Sequence, residues 1–356
     1  MTMDCFVPSY DEQRLMNSKL LFCYYNYIEK IMEHLYELIG KRELNYFSSI
    51  ANEFNFDHTK NYLFDLSHLG ILNVEGEKAP EFLQGQLTCN LLEVDFQNMR
   101  QGAQCNLKGR VLRLIDLVKT KENEINLILP LDLILETENS LAKTAMLSRV
   151  KINKVSNYKI FGFYLNNKED LIPFNLELSN SPYSVIIGES YYCYCLSPNL
   201  YIFIVDEKNA SKLTADFITS SQWRGSLAWH YLNLKQNRID IYPESCGLFL
   251  PHNLNLHLTG YINFNKGCYK GQEIIARMHY RSKLKYELKL FEFKSDEPIY
   301  IGQKLINIDD NQIIGEIVDF CPLIDNKFLI AGSVLFNIPL TVNLEGNSLP
   351  VDLQSL

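Results

Sequence analysis

Apolar residues recur at helical spacing in several parts of the chain, and these repeats predict six helices. The longest covers residues 21–39, and Gly40 is a plausible C-cap because glycine tolerates the left-handed backbone of a helix end. Another begins near Pro80, since proline fits the first turn of a helix. Further helices are predicted over 136–148, 207–220 and 222–236, and a short one follows Gly271.

Other stretches alternate with a period of two or run apolar over short lengths, which is typical of β-strands. Such strands are predicted at 71–74, 111–118, 124–129, 150–155, 160–165 and within 183–205. Beyond residue 285 short alternating strands are separated by turn residues, so we expect a small antiparallel β-barrel. The expected fold class is α+β, with a helical extension over 1–60, an α+β region over 61–285 and a barrel over 286–356.

Trp229 lies on the predicted helix 222–236 but off its main apolar stripe. That stripe contains Trp223, Leu227, His230 and Leu234, and Trp229 points about 120° away from it at 100° per residue. Trp229 therefore either packs against a different neighbour or lines a ligand site.

Composition and charge narrow the classes of function. The chain is 47% apolar and 21% charged, with a net charge of −8, which argues against a protein that coats DNA or an anionic membrane. No secretory signal and no run of 18 apolar residues is present, so we expect a cytoplasmic protein. The nine cysteines lack a Cys-x-x-Cys pair or zinc spacing, which predicts reduced thiols and no metal site.

The stretch from Asn265 to Arg277 is the strongest candidate for a functional site. Gly267 and Gly271 bracket Cys268, and glycine allows positive φ or close approach to a ligand. A cysteine beside Lys266 and Lys270, just before a helix start, should ionise more readily than a core thiol. The region also reverses the overall charge, with basic residues at 266, 270, 277, 281, 283 and 285. The alternative is a buried cysteine beside an ordinary solvated basic face.

This stretch, read as Lys-Gly-Cys-Tyr-x-Gly-Gln-Glu-x-x-Ala-Arg and followed by Tyr280-Arg281, resembles the signature of the YgfZ-type folate-binding proteins. That family is sister to the T-protein, the aminomethyltransferase of the glycine cleavage system. The segments 82–88 and 102–111 resemble two further motifs of the same group. The resemblance covers roughly residues 64–356 and implies a T-protein-like fold.

The resemblance also implies a function and a site. It suggests a tetrahydrofolate-binding accessory protein for iron–sulfur protein assembly or repair, with a link to tRNA modification. Its expected partners are iron–sulfur client proteins or assembly factors, with tRNA as a further candidate, and no membrane. Cys268 would be the working thiol. The folate-side residues would be Trp229, Lys266, Gly267, Tyr269, Gly271, Gln272, Glu273 and Arg277, with an i,i+4 pair expected between Glu273 and Arg277.

Several departures from the family pattern keep other functions open. T-proteins carry an aspartate where this chain has Asn90, and an amide cannot exchange protons as a carboxylate does, which counts against aminomethyl transfer. His252 and Ser282 also differ from the usual residues, and the position near Leu69 lacks the second ligand-side tryptophan. A tRNA-binding module that uses Lys283 and Lys285 is a further rival. A Cys–His nucleophile pair would draw on His252, His257 or His279.

Overall fold

The structure is a computed structural model that describes residues 35–356. Its strands are β1 (Leu35–Ile39), β2 (Arg42–Tyr46), β3 (Tyr62–Asp65), β4 (Leu69–Glu75), β5 (Arg100–Cys105), β6 (Val111–Lys121), β7 (Glu124–Pro130), β8 (Lys151–Val155), β9 (Tyr158–Tyr164), β10 (Val185–Ile187), β11 (Tyr191–Ser197), β12 (Leu200–Asp206), β13 (Trp223–Arg224), β14 (Tyr286–Lys294), β15 (Lys304–Asn307), β16 (Ile313–Pro322), β17 (Lys327–Leu335), β18 (Thr341–Leu344), β19 (Val351–Asp352) and β20 (Gln354–Ser355).

The α-helices are α1 (Ile50–Glu53), α2 (Ala79–Gln86), α3 (Leu131–Ala145), α4 (Glu207–Thr219), α5 (Ser226–Lys235) and α6 (Gln272–Arg281). Short 3₁₀ helices lie at Leu91–Glu93, Met146–Ser148, Pro173–Asn175, Pro243–Ser245, Pro251–Leu254 and Leu256–Leu258. Among the described residues, no helix is both long and apolar enough to cross a membrane.

The strands form three larger sheets and one hairpin. A five-stranded sheet has the order β5-β6-β7-β4-β8, and a six-stranded sheet has the order β10-β11-β12-β9-β3-β13. The third is a nearly closed antiparallel barrel with the order β19-β18-β15-β16-β17-β14-β20, and β1 pairs with β2. The α+β class and the C-terminal barrel are therefore confirmed.

The five-stranded sheet is buried on both faces, which explains the nearly continuous apolar runs of its inner strands. Leu72 of β4 faces a core shared with α2 and α3, whereas its neighbour Ile71 faces the opposite way. That second face packs against the six-stranded sheet, which contributes Tyr62 and Ile202 to the same core. The two sheets therefore lie face to face.

The other face of the six-stranded sheet is covered by α4. Leu63, Phe163 and Phe203 of that sheet share a buried cluster with Leu213 and Phe217 of α4. Because both faces of this sheet are also buried, its β-branched and aromatic residues are used on both sides.

A buried carboxylate ties the barrel to α5 and to the chain that follows it. Asp319 of β16 is fully buried, and its Oδ1 lies 3.1 Å from His230 Nε2 of α5. The Tyr242 hydroxyl donates to Asp319 Oδ1 at 2.7 Å, and the Asp240 amide donates to Oδ2 at 2.8 Å. Burial alone would lower the pKa of His230, but the Asp319 carboxylate raises it.

The predicted helix over 21–39 is wrong at its C-terminal end. Leu35–Ile39 is a strand that turns at Gly40 into β2, while residues 21–34 lie outside the described part of the chain. Gly40 has a φ of +62°, and the same left-handed backbone suits a helix C-cap and a hairpin turn, so the glycine could not separate them.

Two other predicted helices have shifted starts. The helix expected over 222–236 begins at Ser226, because Trp223 and Arg224 pair with β3 and Gly225 then packs closely on the Asn45 carbonyl. The helix expected over 136–148 begins at Leu131, directly after Pro130. The helices near Pro80 and over 207–220 are confirmed.

Residues 36–60 pack into the body of the protein. Arg42 is 3% exposed and donates to Asp132 Oδ2 at 2.9 Å, to Asp240 Oδ2 at 2.8 Å and to the Ile241 carbonyl at 2.8 Å. Ile39 and Leu44 join the same core as the barrel residue Leu305. The proposed domain boundaries remain predictions.

We predict that Arg42→Met lowers the free energy of unfolding by about 2–4 kcal/mol, because Asp132 and Asp240 lose a buried partner. Denaturant unfolding of the full chain measures this change. Lys41→Met is the matched control, since Lys41 is exposed, and should shift stability by no more than about 0.5 kcal/mol. Equal stability of the two variants would show that the buried guanidinium contributes nothing.

Candidate functional site

Three sequence segments that are far apart in the chain meet around residues 261–277. The Lys270 amide donates to the Gly85 carbonyl at 3.1 Å, and the Asn263 amide donates to the Thr88 carbonyl at 3.0 Å. The Thr88 hydroxyl in turn donates to the Tyr261 carbonyl at 2.6 Å. The cysteine stretch and the 82–88 motif are therefore in direct contact.

The third segment is the hairpin between β5 and β6, which contacts the start of α6 through Gly109 and Gly271. Gly271 has a φ of +85°, and a Cβ added there would lie 2.5 Å from the Asn106 carbonyl oxygen and 3.1 Å from the Gly109 Cα. Gly109 has a φ of +69°, and its own Cβ would lie 3.0 Å from the Ile274 side chain. The hairpin between β5 and β6 therefore packs directly on the start of α6, at a distance that only glycines allow.

Lys266 anchors this arrangement and does not act as the free cation that the sequence suggested. Its Nζ donates to the carbonyls of Gln84, Leu87 and Cys89 at 2.7, 2.6 and 2.6 Å. The ammonium also lies 5.0 Å from the centre of the Tyr269 ring. Burial lowers the pKa of Lys266 to about 8. The ammonium thus supplies a partner to the Gln84 carbonyl in the last turn of α2 and to the Leu87 and Cys89 carbonyls just beyond it.

Cys268 projects from this anchored loop and is exposed to solvent. Of the other cysteines in the described part of the chain, Cys246 is half-buried and Cys89, Cys105, Cys193, Cys195 and Cys321 are buried. Burial raises the pKa of the Cys89 and Cys105 thiols to about 12. Cys268 is therefore the most accessible thiol that the structure describes.

The residues around Cys268 have distinct structural roles. Tyr269 is buried, and its amide donates to the side chain of Gln272 at 3.2 Å, which closes the turn before α6. Gly267 lies in open space and has no positive φ, so its conformation does not require glycine. Glu273 and Arg277, both among the described residues, are exposed and do not form the expected ion pair.

A cavity of about 90 Å³ lies beside Trp229. Trp229 is 6% exposed, packs against Gly162 and has its ring centre 5.3 Å from that of Phe64. Trp229 therefore packs on a separate core and also lines a cavity, and its role as a ligand contact stays a prediction. Leu69, the position that lacks the second tryptophan, lines the same cavity.

The polar wall of the cavity is held by Gln101. Its Nε2 donates to Asp116 Oδ1 at 2.7 Å and to the Tyr261 hydroxyl at 3.1 Å, and its Oε1 accepts from Arg238 at 3.3 Å. Asp116 Oδ2 accepts from the Tyr194 hydroxyl at 2.9 Å. Burial raises the pKa of the Asp116 carboxyl, while Arg238 opposes that shift.

One polar atom in the cavity wall lacks a protein partner. His68 Nδ1 is buried without a hydrogen bond to any described residue, and burial holds the pKa of His68 well below its usual value. A buried polar atom of this kind normally has a partner, so it marks a place where a ligand or a water can bind.

Of the nine predicted site residues, only Trp229 lines this cavity. Cys268 and the other seven lie in the 266–277 stretch and are not part of its wall. Tyr261 connects the two places, because its side chain lines the cavity and its carbonyl accepts from Thr88. The roles of the nine residues remain predictions.

Sequence reasoning missed Asp116, Gln101, Arg238 and His68. One signal was available for Asp116, since it is an acidic residue within the apolar strand Leu114-Ile115-Asp116-Leu117. A charged residue inside such a strand is rare unless it has partners. Arg238 and His68 lie in loops, and the sequence holds no pattern that would bring them together.

Comparisons with known proteins test the family resemblance. No protein-family model matches the chain. A tRNA-modifying protein YgfZ from Colwellia psychrerythraea is 28% identical over 241 residues, which cover 67% of this chain and 73% of that protein. The YgfZ of Vibrio atlanticus is 24% identical over 253 residues, covering 71% of this chain and 76% of that protein. The resemblance to the YgfZ proteins is confirmed.

A solved structure supports the same relationship at the level of the fold. The glycine cleavage system aminomethyltransferase T from Bartonella henselae superposes with a TM-score of 0.72, covering 92% of this chain and 95% of that protein. Sequence identity is 15%, so the likeness concerns the fold alone. The YgfZ resemblance and the T-protein-like fold thus agree.

We predict that Cys268 is alkylated first among the cysteines at 89, 105, 193, 195, 246, 268 and 321 when the native protein meets a limiting amount of maleimide. Exposure controls the rate, because a buried thiol must wait for the protein to open. Peptide mass spectrometry over a time course measures the rate at each site. Denatured protein is the control, where the rates should become similar. Slower labelling of Cys268 than of Cys246 would contradict the assigned exposure.

Proposed function

We propose that this protein is a cytoplasmic, tetrahydrofolate-binding accessory factor for the assembly or repair of iron–sulfur proteins, with a link to tRNA modification. The observation that carries the proposal is the cavity beside Trp229, in a chain that resembles the YgfZ proteins and shares the T-protein fold. The exposed thiol of Cys268 is the second element of the proposal.

The chemistry of the cavity suits one edge of a pterin. Such a ligand needs an apolar, aromatic wall with a few well-placed polar groups. Trp229 and Leu69 supply apolar wall, and Asp116 lines it with an acceptor. A carboxylate offers about four lone-pair positions, and the structure uses two of them on Gln101 and Tyr194. The remaining two can accept from the amino and ring N–H groups of a pterin.

The size of the cavity sets a limit on this fit. Its volume of about 90 Å³ is smaller than the ~150 Å³ engineered cavity that binds benzene. A whole bicyclic ring therefore requires the wall to open, whereas one ring edge fits beside Asp116. A pterin bound in the cavity would also give the unpartnered His68 Nδ1 a hydrogen-bond partner.

Tetrahydrofolate, when bound, supplies a reduced pterin that carries one-carbon units. Outside the cavity, the chain contributes Cys268, whose accessible sulfur can contact a client protein. Thiolates are preferred ligands of iron–sulfur clusters, so a cluster or a client sulfur is a chemically suitable cargo. One exposed cysteine cannot hold a cluster that needs four thiolates, so the contact would be shared with the client.

Aminomethyl transfer is less well supported. Asn90 accepts from Gln84 Nε2 at 3.1 Å and donates to Glu93 Oε1 at 3.1 Å, so its side chain is bound in a local network. An amide neither gains nor loses a proton at neutral pH, so Asn90 cannot act as a general acid or base. Glu93 is paired with Arg100 at 2.8 Å and is therefore held in its ionised form.

A tRNA-binding role has separate support from the basic residues after Cys268. Arg277, Arg281, Lys283 and Lys285 are all exposed. None of them takes part in an ion pair with another described residue, so their charges are available to phosphates. The relatives from Colwellia psychrerythraea and Vibrio atlanticus are named tRNA-modifying proteins.

We predict that tetrahydrofolate changes the fluorescence of a Trp223→Phe protein, in which Trp229 is the remaining tryptophan. Adding Asp116→Asn should weaken binding at least tenfold, because a carboxylate acceptor is lost. Cys268→Ser is the control and should keep the affinity, since Cys268 does not line the cavity.

The same Cys268→Ser variant separates binding from function. In cells that lack the protein, the wild type should restore the activities of iron–sulfur enzymes and Cys268→Ser should not. Full rescue by the serine variant would remove the thiol from the proposal. Absence of any tetrahydrofolate binding to the folded wild type would remove the cofactor.

We predict that replacing Lys283 and Lys285 by glutamine weakens tRNA binding and reduces the salt dependence of log Kd by about 2, close to one unit per lost phosphate contact. Electrophoretic shifts at several salt concentrations measure this slope. Replacing the exposed Lys151 and Lys154 of β8 removes the same charge elsewhere and is the matched control. Equal loss in both pairs would indicate non-specific attraction only.

A further inference from the structure

Three histidine rings gather next to the helix that follows Cys268. His252 lies in the 3₁₀ helix Pro251–Leu254, His257 in the next one and His279 on α6. The ring centres are separated by 4.7 Å for His252 and His257, 5.9 Å for His252 and His279, and 6.5 Å for His257 and His279. Phe264 stacks on His279 at 3.7 Å and supports that ring.

The nitrogen atoms of this cluster lack partners. His252 is 1% exposed, and neither of its ring nitrogens forms a hydrogen bond with any described residue. His257 Nδ1 is also buried without a hydrogen bond to any described residue. Buried polar atoms normally have partners, and an unpaired group calls for a specific explanation such as an ion or a water. Ordinary packing does not explain a buried ring on which both nitrogens lack hydrogen-bond partners.

Burial disfavours the charged form of His252 and of His257. Burial lowers the pKa of His252 to about 4, and the neighbouring His257 and His279 add to that effect. Burial also lowers the pKa of His257, again with a contribution from His279.

The ring centres are slightly farther apart than the ideal spacing of a three-histidine metal site. A point about 3.4 Å from all three ring centres exists at the observed separations, and a zinc ion bound at ~2.0–2.1 Å by a ring nitrogen lies roughly 3.2 Å from that ring's centre. The ring nitrogens do not yet converge, and the described residues contain no ready-made three-ligand cluster. Rotation of the rings about χ2 is needed to complete the coordination.

We propose that His252, His257 and His279 form a binding site for a divalent transition-metal ion of the zinc type. Imidazole is a preferred ligand of zinc, and three protein ligands leave one position for water or for a group on a partner. His279 is exposed and His257 is half-buried, so the ion has a path from solvent. This proposal is independent of folate binding and replaces the sequence-based expectation of no metal site.

The test is a titration of the untagged, metal-free full chain with Co²⁺, whose visible absorption reports tetrahedral nitrogen coordination, followed by displacement with Zn²⁺. We expect one equivalent to bind. His279→Ala should weaken binding at least tenfold while the protein stays folded, because this ring is exposed. His257→Ala should have a similar effect, and thermal unfolding checks the fold of each variant.

Two controls separate this cluster from other ligands in the chain. His58→Ala removes an exposed histidine elsewhere, and Cys268→Ser removes the exposed thiol; neither should change the affinity by more than about twofold. Absence of Co²⁺ binding to the wild type would overturn the proposal. Unchanged binding in folded His279→Ala or His257→Ala, or an equal loss in a control, would overturn it as well.

Discussion

The ammonium of Lys266 fills the C-terminal end of α2, where three carbonyl oxygens point toward the same small space. Helix carbonyls at such an end lack internal partners and carry partial negative charge, so they offset part of the cost of burying the cation. Burial still lowers the pKa of Lys266. Cys268 follows two residues later, and the loop is fixed again at Tyr269, Gln272 and Gly271. The thiol is therefore exposed on a backbone that is held on both sides, which differs from exposure on a loose loop.

The cavity beside Trp229 has a different origin. It is lined by residues of both the five-stranded and the six-stranded sheet and by residues that follow α5. Gln101 holds its polar side by contacting Asp116, Arg238 and Tyr261 together. Such a fully bonded glutamine fixes the orientation of its neighbours before any ligand arrives. The structure thus separates a preorganised cavity from an accessible thiol, with the Tyr261–Lys266 segment between them.

The hydrophobic pattern predicted the fold class, the barrel and most of the longer strands after residue 70, because alternation directly reports which face of a strand is buried. It did not predict the strands Tyr62–Asp65, Arg100–Cys105 and Trp223–Arg224. It failed at Leu35–Ile39, where helical and strand spacing overlap over a few residues and Gly40 suits both structures. The sequence motif identified Cys268 as the candidate functional residue, and the structure shows that its thiol is exposed. The motif could not show that Lys266 caps the C-terminal end of α2. Nor could it show that Asp116 and His68 line the same cavity, since these contacts depend on long-range packing.

The contact between Gly109 and Gly271 joins two parts of the chain that are far apart in sequence. A Cβ on Gly271 would meet the Asn106 carbonyl and the Gly109 backbone, and a Cβ on Gly109 would meet the Ile274 side chain. Both residues also have positive φ, so a side chain is unfavourable at either position. Among relatives of this chain, the two glycines should be retained or lost together. A homologue without them would have to present its cysteine on a differently shaped surface, and the pair thus offers a simple way to sort such sequences.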